Sequence, residues 1–466
     1  MDDLSVVILA AGQGLRMKSR LPKVLHKVAG WPMLKHVLLA AATASPNEVV
    51  VVVGHGGEQI RVAFGSDPST RLGQAPRYVD QPQQLGTGHA VMQAKPLLEG
   101  KHDHVLVLYG DTPLIQGSTI TDLVRRHRAG HNVVTMLTGV VDDPTGYGRV
   151  VRNQDGRVSA IVEESVASDV QRAIKEINSG VYCFQGDWLW PRLSQLKLSE
   201  KGEYYLTDLI GLAIEEGRSV ETLRLEDSQE ILGINTREQL AVAEAALRWR
   251  VRRQLMRSGV TMIDPASTFV DASVRIAEDT VIYPYCFIEG DTEIGEGCVI
   301  GPSAYIIDSH IGRGCRIIAS MIEQATLANE VRVGPFSRIR QNSELADGVF
   351  VGNFAEIKKS RLGRNTKMHH FSYLGDATVG ERVNVGAGTI TCNFDSETGQ
   401  KSPTVLEDDV AVGSDTMLVA PVRIGAASTT GAGSVVTRDI PPNSVAFGVP
   451  AKVIRPSKKA RSKTGQ

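Results

Sequence analysis

The stretch VGPFSRIRQNSELADGVFVGNFAEI, from Val333 to Ile357, decides the fold of the second half of the chain. Aliphatic residues recur in it at every sixth position, namely Val333, Ile339, Leu345, Val351 and Ile357. A six-residue step fits neither the helical turn of about 3.6 residues nor the two-residue alternation of a simple strand. It fits a solenoid in which each hexad supplies one short strand and one corner, so that three hexads close one triangular coil.

The same period extends well beyond this stretch. The aliphatic positions that continue it are Ile294, Ile300, Ile306, Val379, Val385, Val412, Leu418 and Ile424. Gly334 and Gly352 follow two of the periodic positions, and glycine suits corners where the backbone turns tightly. The alternative is an ordinary β-rich domain with accidental spacing. We disfavour it because a fixed period rarely persists by chance over so long a span.

The bulk composition limits the classes of protein to consider. The chain has 466 residues, enough for about two to four domains, and 42% hydrophobic residues, enough for packed cores. With 51 Lys and Arg against 52 Asp and Glu, it lacks the basic excess of a dedicated nucleic-acid binder. Its five cysteines include no CxxC pair, which favours free thiols in a reducing cytosol. The apolar run from Val6 to Ala11 is too short for a signal peptide or a membrane span, so we expect a cytoplasmic protein.

The first half opens with a strand and a glycine-rich loop. Ser5 to Leu9 is predicted to form a buried strand, and the loop from Ala10 to Met17 follows at once. Small residues after a strand let backbone N–H groups approach a phosphate, and Arg16 and Lys23 add positive charge. The loop matches neither GxGxxG nor the P-loop, so alone it is a weak signal.

Strand and helix patterns alternate through this half, which predicts a mostly parallel α/β sheet with ligands at the carboxyl ends of its strands. Asp111 follows one predicted strand, Val105 to Leu108, and could hold Mg²⁺ there or cap the turn before Pro113. The residues alone leave both roles open. The other predicted elements are strands at 49–53 and 133–137 and helices at 33–44 and 119–129.

Seven short motifs of the first half together resemble the sugar-phosphate nucleotidyltransferases. The motifs are Leu9 to Met17 with Leu21-Pro22-Lys23, Gln84 to Ala90, Tyr109-Gly110-Asp111, Asp143 to Arg149, Glu163, Ile177 to Gly180, and Gly202 to Tyr205. The hexads resemble the left-handed parallel β-helix of hexapeptide-repeat acyltransferases, and the handedness comes from that resemblance. Together the two halves are similar to the bacterial bifunctional N-acetylglucosamine-1-phosphate uridyltransferase/glucosamine-1-phosphate acetyltransferase family.

The resemblance implies a fold and a domain order. We expect an α/β Rossmann-like nucleotidyltransferase domain over residues 1–236, a linker helix over 237–258, a left-handed β-helix acetyltransferase domain over 259–456 and a basic tail over 457–466. The linker has an apolar stripe and many arginines. It could touch nucleic acid or membrane, but a solvated arm joining two domains is the favoured interpretation.

The resemblance also implies the chemistry. The acetyltransferase site would transfer an acetyl group from acetyl-CoA to glucosamine 1-phosphate. The other site would then transfer a uridylyl group from UTP to N-acetylglucosamine 1-phosphate with Mg²⁺, releasing pyrophosphate. The product, UDP-N-acetylglucosamine, feeds cell-envelope polysaccharide. Two alternatives remain: a single-activity sugar-nucleotide pyrophosphorylase whose β-helix only oligomerises the chain, and a non-catalytic assembly protein.

For the uridyltransferase site, the resemblance assigns residues to three groups of ligand contacts. Arg16 and Lys23 would face the phosphates, and Asp111 and Asn235 would hold Mg²⁺. Without the family match, Lys23 would be read as a solvated lysine and Glu163 as a salt-bridge partner. The nucleotide and sugar contacts implied are Leu9, Ala10, Ala11, Gly12, Lys23, Gln81, Gly86, Thr87, Tyr109, Gly110, Asp111, Gly148, Glu163, Asn178 and Asn235.

For the acetyltransferase site, the resemblance makes His370 the general base, a role that suits an imidazole of pKa near 6.5. Arg340 and Lys358 would bind the sugar phosphate, although charged coil faces can also simply keep a solenoid soluble. Tyr373 and Asn384 would orient the sugar. The acetyl-CoA contacts implied are Ala387, Asn393, Phe394, Ser414, Ala432 and Gly448.

Two of these positions depart from the family pattern. Phe394 stands where a tyrosine is usual, which removes one hydroxyl contact, and Gly448 stands where well-known members carry an arginine near the coenzyme. Family β-helices pack as trimers with the acetyltransfer site shared between neighbours, so we expect a homotrimer.

Overall fold

The computed structural model describes residues 3–65 and 75–457, which fall into two units that divide between Leu247 and Arg248. The predicted boundaries at residues 236 and 258 stay predictions. Except for Ser457, the predicted tail lies outside the described residues. In the part of the chain that is described, no helix is both long and apolar enough to cross a bilayer.

The first unit is organised around strand β1, whose seven residues are all buried. Its strands are β1 (Leu4–Ala10), β2 (Lys27–Val28), β3 (Trp31–Pro32), β4 (Glu48–Val53), β5 (Arg77–Asp80), β6 (His104–Tyr109), β7 (Val134–Val140), β8 (Arg149–Arg152), β9 (Val158–Val162), β10 (Glu176–Gln185) and β11 (Val220–Arg224). Its helices are α1 (Met33–Ala42), α2 (Gly57–Phe64), α3 (Thr87–Leu98), α4 (Gly117–Gly130), α5 (Asp169–Arg172), α6 (Gly186–Leu193) and α7 (Asp208–Glu215), with 3-10 turns at Leu15–Met17, Lys23–Leu25 and Ser228–Ile231.

The main sheet has the strand order β11-β7-β10-β6-β1-β4-β5. β1 pairs in parallel with β4 on one side and β6 on the other. β10 is antiparallel to both β6 and β7, an arrangement that the alternation of patterns did not predict. The prediction of a mostly parallel α/β sheet is confirmed. Because β1, β4 and β6 run in the same direction, their carboxyl ends meet at one edge of the sheet, where ligands bind in this class of fold.

Helix α8 (Arg237–Arg257) covers the predicted linker helix. In the first unit, Ala243 is buried against Val28 and Met33, and Leu240 and Leu247 lie half-buried beside it. In the second unit, Leu255 is part of the solenoid core. Apolar positions three and four residues apart therefore bury one stripe of the helix, as the sequence predicted.

The second unit is a solenoid of very short strands. They are β12 (Thr261–Met262), β13 (Phe269–Val270), β14 (Arg275–Ile276), β15 (Val281–Ile282), β16 (Phe287–Glu289), β17 (Glu293–Ile294), β18 (Val299–Ile300), β19 (Tyr305–Ile307), β20 (His310–Ile311), β21 (Arg316–Ile317), β22 (Met321–Glu323), β23 (Thr326–Leu327), β24 (Arg332–Val333), β25 (Arg338–Ile339), β26 (Glu344–Leu345), β27 (Phe350–Val351), β28 (Ala355–Lys358), β29 (Arg361–Leu362), β30 (Lys367–Met368), β31 (Ser372–Gly375), β32 (Ala377–Val379), β33 (Asn384–Val385), β34 (Ile390–Cys392), β35 (Thr404–Leu406), β36 (Ala411–Val412), β37 (Met417–Val419), β38 (Val422–Ile424), β39 (Thr429–Thr430), β40 (Val435–Val436), β41 (Ser444–Gly448) and β42 (Ala451–Pro456).

These strands form three parallel sheets, each built from every third strand until the chain nears its end. We call them the first sheet (from β12), the second sheet (from β13) and the third sheet (from β14). Val333 pairs with Val351 in the first sheet, Ile339 with Ile357 in the second, and Leu345 with Leu362 in the third. All the periodic aliphatic side chains in this stretch are buried, so the predicted coil of three hexads is confirmed.

Glycine is required where the corners of adjacent coils approach each other. Gly334 adopts φ +104°, and a Cβ there would lie 2.1 Å from the carbonyl oxygen of Ile318 in the preceding coil. At Gly352 a Cβ would lie 1.8 Å from the carbonyl oxygen of His369 in the next coil. Both contacts are too short for any side chain, so these glycines permit the close stacking of coils.

The inward and outward positions of one strand provide a test of the stacked core. Leu345 of β26 is buried and its neighbour Glu344 is exposed in an ion pair with Arg361. We expect Leu345→Ala to lower the free energy of unfolding of the solenoid by about 2–5 kcal/mol because it leaves a cavity between coils. Glu344→Ala, the matched control, should cost about 1 kcal/mol or less because both partners are exposed. Calorimetric unfolding of the full chain measures both, and equal losses would contradict an inward role for Leu345.

Candidate active sites

The candidate site of the first unit is a cavity of about 500 Å³ at the carboxyl edge of the sheet. It contains most of the residues assigned to the nucleotide and sugar from the sequence. Its lining includes Leu9, Ala10, Ala11, Gly12, Lys23, Gln81, Gly86, Thr87, Tyr109, Asp111, Gly148, Glu163, Asn178 and Asn235. Leu9 and Asn178, far apart in the chain, share one cavity because β1, β6 and β10 are neighbours in the sheet.

One end of the cavity holds a positive charge between two oxygen atoms that accept hydrogen bonds from it. Lys23 Nζ donates to Asp111 Oδ2 and, at 3.0 Å, to Asn235 Oδ1. The Lys23 and Asp111 side chains are only 11% and 16% exposed, so this ion pair is poorly screened by solvent. The loop reaches this position because Gly14 adopts φ +63°, and a Cβ there would lie 2.7 Å from Lys23 Cβ.

The same two oxygens fit a magnesium ion. Asp111 and Asn235 already converge on one cation, the lysine ammonium, and Mg²⁺ prefers few protein oxygens with the remaining ligands from phosphate and water. In the described ranges there is no group of three or more His, Cys, Asp or Glu placed to hold a metal. A two-ligand protein site completed by a nucleotide is the arrangement that this cavity can offer.

Another part of the cavity carries a half-buried carboxyl group, that of Glu163. Burial raises the pKa of Glu163, and Thr207 Oγ1 donates to its Oε1 at 3.0 Å, which partly offsets that rise. Asn178 lies beside it on β10, and its backbone N–H donates to the Gly148 carbonyl at 2.8 Å. This pairing brings three residues from separate motifs to one wall, which offers hydrogen-bond acceptors to a polar ligand such as a sugar.

A third part of the cavity is lined by the loop that contains Gly86, which contacts the chain at Tyr204. Gly86 adopts φ +94°, and a Cβ there would lie 2.7 Å from the Tyr204 carbonyl oxygen. Thr87 Oγ1 accepts from the backbone N–H of Leu206 at 3.1 Å, and Gln84 Nε2 donates to the Ala11 carbonyl at 2.6 Å. The loop therefore sits directly over the glycine-rich turn after β1.

Two assigned residues do not line this cavity. Arg16 is exposed on the 3-10 turn Leu15–Met17. Burial is the main cause of the raised pKa of Tyr147, and the positive charge of Arg16 partly offsets that rise. Gly110 instead donates its backbone N–H to the Leu9 carbonyl at 2.9 Å. The sequence missed several lining residues, although most lie inside motifs that it had singled out: Gln84, Tyr147, Ser179, Gly180, Glu203, Tyr205 and Thr207.

The second unit places His370 on the outside of the solenoid. It lies in the corner 369–371 between β30 of the first sheet and β31 of the second, and it is exposed. Its ring centroid is 6.2 Å from that of His369, which in turn contacts Phe350 of the preceding coil at 4.6 Å. An imidazole on the flank, rather than inside the prism, is accessible to a substrate.

A cluster of basic side chains lies at the carboxyl ends of the strands of the second sheet. Arg340 follows β25 and pairs with Glu356 at 2.7 Å, and Lys358 ends β28. The pKa of Lys358 is lowered first by the neighbouring Lys401 and then by Arg340. Lys401 belongs to the loop between β34 and β35, and no role was assigned to this lysine from the sequence. Three cations in one place favour an anionic ligand.

The residues assigned to acetyl-CoA separate into two groups. Ala387, Ser414 and Ala432 lie in the same corner of three successive coils, joined by backbone hydrogen bonds from Asp415 to Ala387 at 2.6 Å and from Gly433 to Ser414 at 2.8 Å. This corner is the one that holds His370 a coil earlier. Gly448 ends β41 and adopts φ +106° at the turn into β42.

Asn393 and Phe394 lie elsewhere, where the chain leaves β34 of the second sheet. Asn393 Nδ2 donates to Asp376 Oδ2 at 2.6 Å, and Phe394 is 58% exposed. Asn384 is on the first sheet, where it pairs with Lys367 and Ala411, whereas Tyr373 is on the second. One chain therefore distributes the assigned residues over two faces instead of enclosing them in one cavity.

Comparisons with known proteins agree with both halves. The Nucleotidyl transferase family model matches residues 5–249, and the model of six bacterial transferase hexapeptide repeats matches residues 273–308. The "Bifunctional protein GlmU" of Heliobacterium modesticaldum is 48% identical over 96% of this chain and 95% of its own length. Proteins of the same name from Syntrophomonas wolfei and Pelobacter propionicus are 48% and 45% identical over 95% and 99% of this chain, and 97% and 99% of their own lengths.

Fold and sites thus define a nucleotidyltransferase joined to a left-handed parallel β-helix of the hexapeptide transferases. The chain belongs to the family of bifunctional GlmU proteins, which combine a uridyltransferase and an acetyltransferase in UDP-N-acetylglucosamine biosynthesis. The expectation from the sequence is confirmed at this level, including the enzyme class.

Substitutions at two glycines of positive φ test whether the contact between the Gly86 loop and Tyr204 shapes the first cavity. Gly86→Ala would force the new Cβ against the Tyr204 carbonyl, so the loop must move. We expect UTP affinity to fall at least about tenfold, or ~1.4 kcal/mol. Gly100→Ala, at φ +71° with nothing within 4 Å of the new Cβ, is the matched control and should leave UTP affinity unchanged. Titration calorimetry with UTP compares the two, and equal affinities in both variants would show that the Tyr204 contact does not shape the cavity.

Proposed function

We propose that the two reactions of this family are divided between the cavity around Asp111 and the corner around His370. The observation that supports this proposal most is the separation of the two groups of residues between two units of the chain. One group offers a cation and oxygen donors for a nucleotide, and the other offers an exposed imidazole and a basic group for an acyl acceptor.

In the first site, a phosphate oxygen of N-acetylglucosamine 1-phosphate attacks the α-phosphorus of UTP, and the bond to pyrophosphate breaks. This reaction needs alignment and neutralisation of charge more than covalent help. Leu9 to Gly12 with Gln81, Gly86 and Thr87 hold the nucleotide, and Gly148, Glu163 and Asn178 hold the sugar. Lys23 lies deep enough to face the phosphates, and Arg16 reaches them from the exposed turn.

Asp111 and Asn235 are the residues that would hold Mg²⁺. When bound, the ion supplies charge neutralisation on the phosphates of UTP. The chain's own contribution is to hold the carboxylate and amide oxygens on one side of the cavity, as their shared contact with Lys23 indicates.

In the second site, His370 takes the proton from the amine of glucosamine 1-phosphate as the nitrogen attacks the acetyl carbonyl of acetyl-CoA. A C–N bond forms, the C–S bond breaks, and the proton passes from His370 to the leaving sulfur, so coenzyme A leaves as the thiol. The exposed corner column of Ala387, Ser414 and Ala432 offers the coenzyme a track that begins beside His370. Arg340 and Lys358, with Lys401 beside them, suit the sugar phosphate.

A homotrimer would complete this second site. Asn384 and Tyr373 lie on different sheets, so a neighbouring copy that covers the flank would bring them to one ligand. The acetyl-CoA contacts at Asn393 and Phe394 fit the same arrangement because they project from another corner than Ala387. We place the enzyme in the cytoplasm, where its small-molecule substrates are found.

Single substitutions should separate the two reactions. We expect His370→Ala to lower acetyl transfer by about 10²–10⁴-fold, since a positioned base contributes that much, and to leave uridylyl transfer intact. Asp111→Ala should remove uridylyl transfer and leave acetyl transfer intact. Mass spectrometry measures both when acetyl transfer starts from glucosamine 1-phosphate and acetyl-CoA, and uridylyl transfer starts separately from N-acetylglucosamine 1-phosphate, UTP and Mg²⁺. A folded variant that loses both activities would contradict two separate sites.

The ammonium of Lys23 should compete with a metal ion for Asp111 and Asn235. We expect Lys23→Met to bind Mn²⁺, in the absence of nucleotide, about tenfold more tightly than the unchanged chain, a difference of ~1.4 kcal/mol. Electron paramagnetic resonance of free Mn²⁺ measures this without any turnover. Lys27→Met, an exposed lysine of β2, is the control and should not change the affinity. Weaker Mn²⁺ binding in Lys23→Met would show that the lysine does not occupy the metal position.

A further inference from the structure

Arg149 is a buried arginine that lies behind the lining of the first cavity. It opens β8, and its backbone pairs with Val162 of β9 and with Ile177 of β10. The residue is only 1% exposed, and it is not among the residues that line the cavity. Arginine is almost never buried to this extent unless a partner compensates its charge, so the contacts of this side chain need an explanation.

The guanidinium group of Arg149 binds two separate segments of the chain. Its Nη2 donates to Glu164 Oε2, and its Nη1 donates to the backbone carbonyl oxygen of Tyr147. Gly148 directly follows Tyr147, and Glu163 directly precedes Glu164. Both Gly148 and Glu163 line the cavity. One buried cation therefore connects the two segments that carry these lining residues.

The Tyr147 carbonyl and the Gly148 N–H belong to the same peptide unit. This unit is trans, so its C=O and N–H point to opposite sides of one rigid plane. Because the carbonyl oxygen faces the buried guanidinium group, the N–H faces away from it. No acceptor among the described residues takes the Gly148 N–H, whereas the Gly148 carbonyl accepts from the backbone of Asn178. Arg149 thus holds an unused donor towards the cavity.

The positive charge of Arg149 also strengthens this donor. A hydrogen bond from an ionised group is about twice as strong as a neutral one, and it polarises the peptide unit that accepts it. We propose that Arg149, held by Glu164, is a positioning residue for the sugar phosphate: it orients and polarises the Tyr147–Gly148 peptide so that the Gly148 N–H donates to an oxygen of the sugar. This inference rests on the proposed uridylyl transfer and adds to it a residue that lies outside the cavity.

A second arginine of the same strand provides the comparison. Arg152 binds both carboxylate oxygens of Glu176, through Nε and Nη2, and donates from Nη1 to the Gly156 carbonyl at 2.9 Å. None of these three residues lines the cavity. In contrast, Arg149 leaves its Nε buried without a partner, and a buried ion pair with an unsatisfied donor is weak evidence for a role in stability. The two arginines therefore separate an ion pair that supports the strand from one that supports the site.

The test measures uridylyl transfer from UTP to N-acetylglucosamine 1-phosphate with Mg²⁺. Arg149→Met removes both donors, and Glu164, whose side chain is 33% exposed, can then be solvated. We expect this variant to raise KM for the sugar phosphate about tenfold and to change KM for UTP by less than about twofold. Arg149→Lys keeps a cation that reaches one of the two acceptors, so it should recover part of the loss. Arg152→Met is the matched control and should leave both KM values unchanged.

Calorimetric affinity for UTP shows whether the first unit of each variant is folded. The inference is wrong if Arg149→Met keeps the KM of the unchanged chain for the sugar phosphate, if it weakens UTP and the sugar phosphate equally, or if Arg152→Met has the same effect. Should Arg149→Met fail to fold, Glu164→Leu decides. It frees the guanidinium group without touching the cavity, so we expect KM for the sugar phosphate to rise about threefold, and an unchanged KM overturns the inference. Uridylyl transfer by the unchanged chain tests the proposed function separately.

Discussion

The stacking of one coil upon the next is the constraint on which the second unit depends. Each strand is too short to be stable alone, so its backbone hydrogen bonds must come from the coils on either side. That requirement fixes a register in which Val333 meets Val351 and Ile339 meets Ile357. Residues one coil apart then stack at the same corner, which is why Ala387, Ser414 and Ala432 form a column beginning beside His370.

The first unit meets a comparable requirement with a different geometry. Parallel pairing of β1 with β4 and β6 brings three strand ends to one edge, and the loops there line the cavity. Small residues are needed at this edge because backbone and side chains from distant segments approach closely, as at Gly14 and Gly86. The cavity is therefore a consequence of strand order, and the chemistry depends on which residues terminate the strands.

Charge placement distinguishes the two sites. In the first, Lys23 and Asp111 are largely shielded from solvent, so their attraction is strong and keeps both side chains together at one end of the cavity. In the second, Arg340, Lys358 and Lys401 are close together on an open surface, and their mutual repulsion lowers the pKa of Lys358. A cluster of cations of this kind is relieved when an anion binds between them.

The sequence by itself determined the fold class, since a six-residue aliphatic period and an alternation of strand and helix patterns are local properties of the chain. It also identified most lining residues of the first cavity, because they lie in short motifs. Only the tertiary structure decided that β10 inserts antiparallel between β6 and β7, that Lys401 comes beside Lys358, and that Asn384 and Tyr373 face different ways. These features depend on contacts between residues far apart in the chain, and no local pattern encodes such contacts.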